Sequence, residues 1–131
     1  MTLIARFAVT GADPTKADGL EADWVGMLIF SKTFSSGIVG EAKTLFMSAG
    51  SQDGQRSYVA TEQITGRTDD GKEGSFVVQH GGLESDPSTW FGHIVPKTGT
   101  GDFADWSGSA RIQHDADGAY FEIDVVEIAT A

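Results

Sequence analysis

Apolar and polar residues alternate along much of this chain. Leu3, Ala5, Phe7 and Val9 share one parity, with Arg6 and Thr10 on the other. Tyr58, Ala60, Glu62 and Ile64 share a parity further on. Phe76, Val78 and His80 oppose Val77 and Gln79, and Phe121, Ile123 and Val125 oppose Glu122 and Asp124. A period of two puts successive side chains on opposite faces of a strand. A helix needs spacings of three and four, and no window of about a dozen residues shows them. The nearest approach, Pro14–Asp23, is short and contains Gly19, so it reads as a loop with at most one helical turn.

The pattern predicts eight strands, over residues 2–10, 24–34, 37–49, 55–67, 73–82, 89–97, 104–115 and 119–128. Asp–Gly pairs at Asp18–Gly19, Asp53–Gly54, Asp70–Gly71 and Asp117–Gly118 punctuate them. Such pairs supply the positive φ angles of tight turns. The third-to-fourth, fourth-to-fifth and seventh-to-eighth connections read as direct hairpins. Eight antiparallel strands close economically into a barrel or stack as a two-sheet sandwich. The hairpins favour the first, an all-β, eight-stranded antiparallel up-and-down barrel. Glycines within strands fit that choice, because strong coiling uses them. A barrel of this size holds packed side chains or one small ligand.

At 131 residues, with no linker or break in composition, the chain reads as a single domain, residues 1–131. Hydrophobic residues are 40% of the total, enough for a modest core despite a formal charge of −10. The acidic balance argues against nucleic acid and against an anionic membrane surface. Without cysteine there is no disulfide, thiolate metal site or cysteine nucleophile. The start, MTLIARFAVTGADP, lacks the basic, apolar and small-residue regions of a secretory signal, so a cytoplasmic location is expected.

Gly99-Thr100-Gly101-Asp102-Phe103-Ala104 matches G-x-G-x-x-A, yet neither a βαβ unit nor enough chain follows, so a glycine-rich turn is the better reading. Asp115-Ala116-Asp117-Gly118 resembles part of a calcium loop, but its flanks read as strands and a hairpin turn is expected. No metal is expected. The weak alternative is a site in which His80 and His93 meet across neighbouring strands with Glu62 as third ligand. His114 sits beside a turn and reads as exposed. No serine lies in a G-x-S-x-G elbow.

Glu62 and His80 are the candidate catalytic residues. Each lies mid-strand in phase with apolar neighbours. If that face points inward, burial would raise the Glu62 pKa and suit it to acid–base work. The plainer alternatives are an ion pair with an inward Arg6 or Arg56, or an outward face against a neighbouring subunit.

Three stretches carry a resemblance. They are Tyr58-Val59-Ala60-Thr61-Glu62-Gln63-Ile64-Thr65-Gly66, Gly74-Ser75-Phe76-Val77-Val78-Gln79-His80, and Gly99-Thr100-Gly101 with Gly108 after it. Phe34-Ser35-Ser36-Gly37-Ile38-Val39-Gly40 adds a strand entry. Together they resemble an uncharacterised bacterial family, a domain of unknown function grouped with allene oxide cyclase-like barrels. The likeness spans about residues 1–128. It implies a small eight-stranded barrel and no catalytic residues, since no motif of the cyclase itself is present. Where the family shows a proline–glycine–serine-type run, this chain has Pro96-Lys97-Thr98.

Two functional readings follow. In the first, the barrel binds a small apolar molecule, with or without isomerase or cyclase activity and with no cofactor. Trp24, Phe46, Tyr58, Phe76, Trp90, Phe103, Trp106 and Phe121 are available to line or plug the lumen. The candidate ligand-binding residues are Tyr58, Glu62, Phe76, Gln79, His80 and Trp90, with Glu62 to polarise and His80 or Gln79 to hydrogen-bond an oxygen. In the second, the interior is only core, and the outer face makes a homo-oligomer. The phase of Glu62 and His80 separates the two.

Overall fold

The structure, a computed structural model, describes residues 1–127. The eight strands are β1 (Thr2–Thr15), β2 (Val25–Ser36), β3 (Ile38–Gly50), β4 (Arg56–Thr68), β5 (Glu73–Leu83), β6 (Phe91–Ile94), β7 (Trp106–Asp115) and β8 (Gly118–Glu127). Each pairs antiparallel with its sequence neighbours, and β8 closes on β1 to complete the barrel. Closure leaves no free sheet edge. Short 3-10 turns at Pro87–Thr89 and Gly101–Phe103 are the helical elements among the described residues. No helix among them is long and apolar enough to cross a membrane.

The glycines of all four Asp–Gly pairs have positive φ, at 88° (Gly19), 90° (Gly54), 86° (Gly71) and 114° (Gly118). This is the turn geometry for which Asp–Gly was read. The expected hairpins form, and β2 also turns directly into β3 through Gly37. The loop expected from Pro14 is in part strand: β1 runs on to Thr15, with register shifts between Arg6 and Phe7 and between Val9 and Gly11. Its first half pairs with β8 and its second half with β2. A strand serving two neighbours in succession is what a staggered barrel requires, and pairing outweighed the local turn chemistry. The sixth strand is shorter than expected, because Val95–Asp105 leaves the sheet. Position 128 of the expected last strand lies outside the described residues.

Lys97, in that departing loop, has φ 66°, the single non-glycine at positive φ among the described residues. A side chain in this region is strained by about 1–2 kcal/mol.

The loop closes one end of the barrel. Phe103 is fully buried, 4.1 Å from the Trp106 ring and 5.6 Å from Phe76 between centroids. Ile38, Ile64, Ile94, Phe34, Phe121 and Ile123 fill the space above this plug. The inward positions follow the alternation within each strand, with the parity that carries Glu62 and His80 turned inward, and the core is packed from this end to the middle of the barrel.

Candidate functional site

Above the core, the interior becomes polar. β2 carries Lys32 inward between Phe30 and Phe34, β4 carries Glu62 inward between Ala60 and Ile64, and β5 carries His80. The β3–β4 and β4–β5 registers align Thr44 with Glu62 and Ala60 with His80. The side chains of Lys32, Glu62 and His80 are 4%, 0% and 2% exposed.

These groups form one chain of contacts. Lys32 Nζ donates to Glu62 Oε1 at 2.8 Å. His80 Nε2 lies 2.6 Å from the same oxygen, and Tyr58 Oη lies 2.9 Å from His80 Nδ1. Lys32 Nζ also sits 4.4 Å above the Phe7 ring and 5.2 Å from that of Phe121, where the aromatic faces favour a cation. Glu62 Oε2 and Thr44 Oγ1 are buried without a hydrogen-bond partner.

Burial pushes the Glu62 carboxyl up, but the His80 hydrogen bond and the Lys32 charge outweigh it. The result lies below the ordinary carboxylate range. Burial alone, as read from the sequence, predicted the opposite sign. The difference is the His80 hydrogen bond and then the Lys32 charge, neither of which the sequence reading set against burial, and Glu62 is therefore an ionised anchor. An ionised carboxylate only accepts, so His80 Nε2 carries a proton and donates to it. Tyr58 is pushed up to about 12, by burial first and then by the Glu62 charge, and stays a neutral phenol.

A depressed carboxyl pKa contributes stability that is fully present above the unfolded value, here 4.5. That contribution is lost as pH falls through the lower folded value. The stability advantage of the wild type over Glu62→Gln should therefore shrink as pH drops below about 4.5. Urea unfolding of both proteins between about pH 3 and 7 checks this, and an advantage that stays flat would contradict it.

The interior also opens. A cavity of about 270 Å³ reaches down to Lys32, Thr44 and His80, walled by Phe7, Val9, Phe30 and Ala119. It shares Phe46, Tyr58, Ile112 and His114 with an outer cavity of about 490 Å³. Leu28 and Trp90 add apolar wall to the outer cavity, and Arg56 and Glu84 stand at its mouth. Tyr58 thus belongs both to the polar chain and to the wall.

Of the six candidate ligand-binding residues, Tyr58, Glu62 and His80 meet as described, and Trp90 lines the outer cavity. Phe76 is inward but belongs to the closed end, packed on Phe103 and Trp106 away from the opening. Gln79 points outward and donates to Thr61 Oγ1 at 3.2 Å, since strand alternation puts it opposite His80. Among the other aromatics proposed for the lumen, Phe46 lines the cavity, Phe103, Trp106 and Phe121 are core, and Trp24 is exposed.

The expected partners of Glu62 lie elsewhere. Arg6 pairs with Asp115 on the surface through two contacts of 2.8 and 2.9 Å, and Arg56 lies at the mouth. His93 is aligned with Gln79 on the outer face, so it cannot meet His80. Among the described residues no group of three His, Cys, Asp or Glu is placed to hold a metal ion. His114 is exposed, as expected, and lines both cavities.

Lys32 was the residue that sequence reasoning missed. Its signal was present, since Lys32 alternates in phase with Phe30 and Phe34. The apolar run Val25–Phe30 obscured it by leaving no polar residue to mark the other face.

The fold and site define a small closed β-barrel, plugged at one end and open at the other over a buried polar chain. The model for the family described as "Protein of unknown function (DUF3224)" matches residues 3–125, and the chain belongs to this family. It is similar to a solved protein of unknown function from the DUF3224 family of Shewanella oneidensis MR-1. The two are 25% identical with a TM-score of 0.83, over 99% of this chain and 98% of that one. No curated protein matches the chain.

Proposed function

We propose that this protein binds a small, largely apolar molecule in the open end of its barrel. The observation that carries this reading is a pair of joined cavities with apolar walls that end on Lys32, Thr44 and His80. Binding pockets commonly combine an apolar wall with a few convergent polar groups. Stability alone does not account for a buried ion pair below an opening, because well-packed apolar residues of similar size would stabilise the barrel as well or better. Tyr58 and the groups behind it are placed to fix one polar atom of the ligand. Isomerase or cyclase chemistry would require that atom, or a bond next to it, to react.

The direct test is titration with 1-anilinonaphthalene-8-sulfonate, followed by displacement with C8 to C12 alkyl compounds. Saturable binding that weakens at least tenfold in Trp90→Ala and in Phe46→Ala is the expected result. No saturable binding of any of these compounds would remove the reading.

A second reading has its own support. On the outer face Met47, Val59 and Phe91 lie in one cross-strand row, beside Ile29 and Leu45 in the next. All five are exposed, and such patches commonly mark protein contacts. A homo-oligomer formed through this face would give a sedimentation mass above that of the monomer, returning to monomer in Met47→Lys/Val59→Lys. A concentration-independent monomer would exclude it. The two readings are compatible, because one uses the lumen and the other the outside.

A further inference from the structure

Resting on the binding reading above, we infer that the ligand is a neutral molecule bearing a hydroxyl group, held at the cavity floor by Tyr58 Oη and Thr44 Oγ1. The argument rests on charge balance and on hydrogen-bond direction.

Lys32 and Glu62 form a buried pair whose charges cancel. A carboxylate or ammonium lowered to this floor would bring an uncompensated charge into an apolar interior, which is costly. A neutral head group has no such penalty.

The direction of the hydrogen bonds narrows the choice further. Glu62 is an acceptor, so His80 Nε2–H donates to it. In the tautomer with its proton on Nε2, His80 Nδ1 accepts from the Tyr58 hydroxyl 2.9 Å away. That commits the one Tyr58 proton inward, leaving its oxygen lone pairs as acceptors where Tyr58 lines the cavity. Thr44 Oγ1, buried without a partner in the wall of the same cavity, can donate as well as accept. A floor with one acceptor and one hydroxyl suits a group that both donates and accepts. An alcohol does so. A ketone, ether or alkane has no proton for Tyr58.

The experiment uses four probes of equal chain length: decan-1-ol, decan-2-one, decane and decanoate. Each displaces 1-anilinonaphthalene-8-sulfonate from the whole protein at pH 8. Decanol should bind at least tenfold tighter than decane or decanoate, and several-fold tighter than decanone. Tyr58→Phe, which keeps the ring and removes the oxygen, should reduce the decanol-over-decane ratio about tenfold, and Thr44→Val should reduce it by a smaller factor. Reading a ratio keeps the test valid if either variant is less stable.

Tightest binding of decanoate, abolished by Arg56→Met, would overturn the inference and put an acidic head at the mouth. Equal binding of all four probes would also overturn it, leaving the binding reading in place. Binding of none of them would remove both.

Discussion

Glu62→Gln should lower the unfolding free energy by about 3–5 kcal/mol, because it leaves the Lys32 ammonium buried without its counter-charge. Lys32→Met should cost a comparable amount, stranding the Glu62 carboxylate. The double substitution Lys32→Met/Glu62→Gln should recover most of the loss. Both charges are then gone, the Met side chain fills space near the Phe7 and Phe121 rings, and the amide oxygen still accepts from His80. The coupling energy of the cycle is therefore large, about 2 kcal/mol or more. Urea unfolding of the four proteins, followed by tryptophan fluorescence, measures it. Single substitutions costing under about 1 kcal/mol each would show that water reaches the pair and that it behaves like a surface ion pair.

The second large effect is expected at Gly108. A Cβ built there falls 1.9 Å from the Asp124 carbonyl oxygen, at φ 119°. Gly108 is aligned with Ile94 of β6 on one side and Val125 of β8 on the other. Neither neighbour can retreat without opening the barrel wall. Gly108→Ala should cost about 3 kcal/mol or more, from the strained φ together with a forced backbone shift. Gly54→Ala is the matched control. Its φ is 90° with nothing within 4 Å of the added methyl, so about 1 kcal/mol of strain is all that is expected. Thermal unfolding of the two variants compares them. Similar losses would mean that β7 is free to shift and that close strand approach is not what requires Gly108.

The two predictions concern the two devices that shape the lumen. Close strand approach at Gly108 holds the narrow part of the wall, where β6 is only four residues long. The ion pair ties β2 to β4, and His80 extends the tie to β5. An interior linked across three strands by polar contacts is harder to slide than one held by apolar packing alone, since a shift would strand a buried charge. Rigidity of this kind also presents Tyr58 at a constant position below the opening.

Much of this was readable one strand at a time. Period-two alternation grouped Tyr58 with Glu62, and put His80 and Phe121 in phase with the apolar residues of their strands. The Asp–Gly turns set the hairpins, because both signals are local; that these faces point inward was decided by closure. Strand β2 was harder. An apolar run over both faces hides which parity points inward, and Lys32 was therefore overlooked. Phe76 was placed on the correct face but at the wrong end. Alternation reports a face and carries no information on depth along the barrel axis.

What the sequence by itself determined is the class of the fold, the turn positions and which residues of most strands share a face. Each follows from interactions within a few residues of chain. Tertiary structure alone decided the rest. Closure brought Lys32 and His80, from two other strands, to within 3 Å of one Glu62 carboxylate oxygen. That meeting set the sign of the Glu62 shift, which burial without a partner would have reversed. The Val95–Asp105 loop folded Phe103 into one end of the barrel and left the other open. Coulomb energy and packing depend on distances in space, and for these residues the closed, staggered sheet sets those distances.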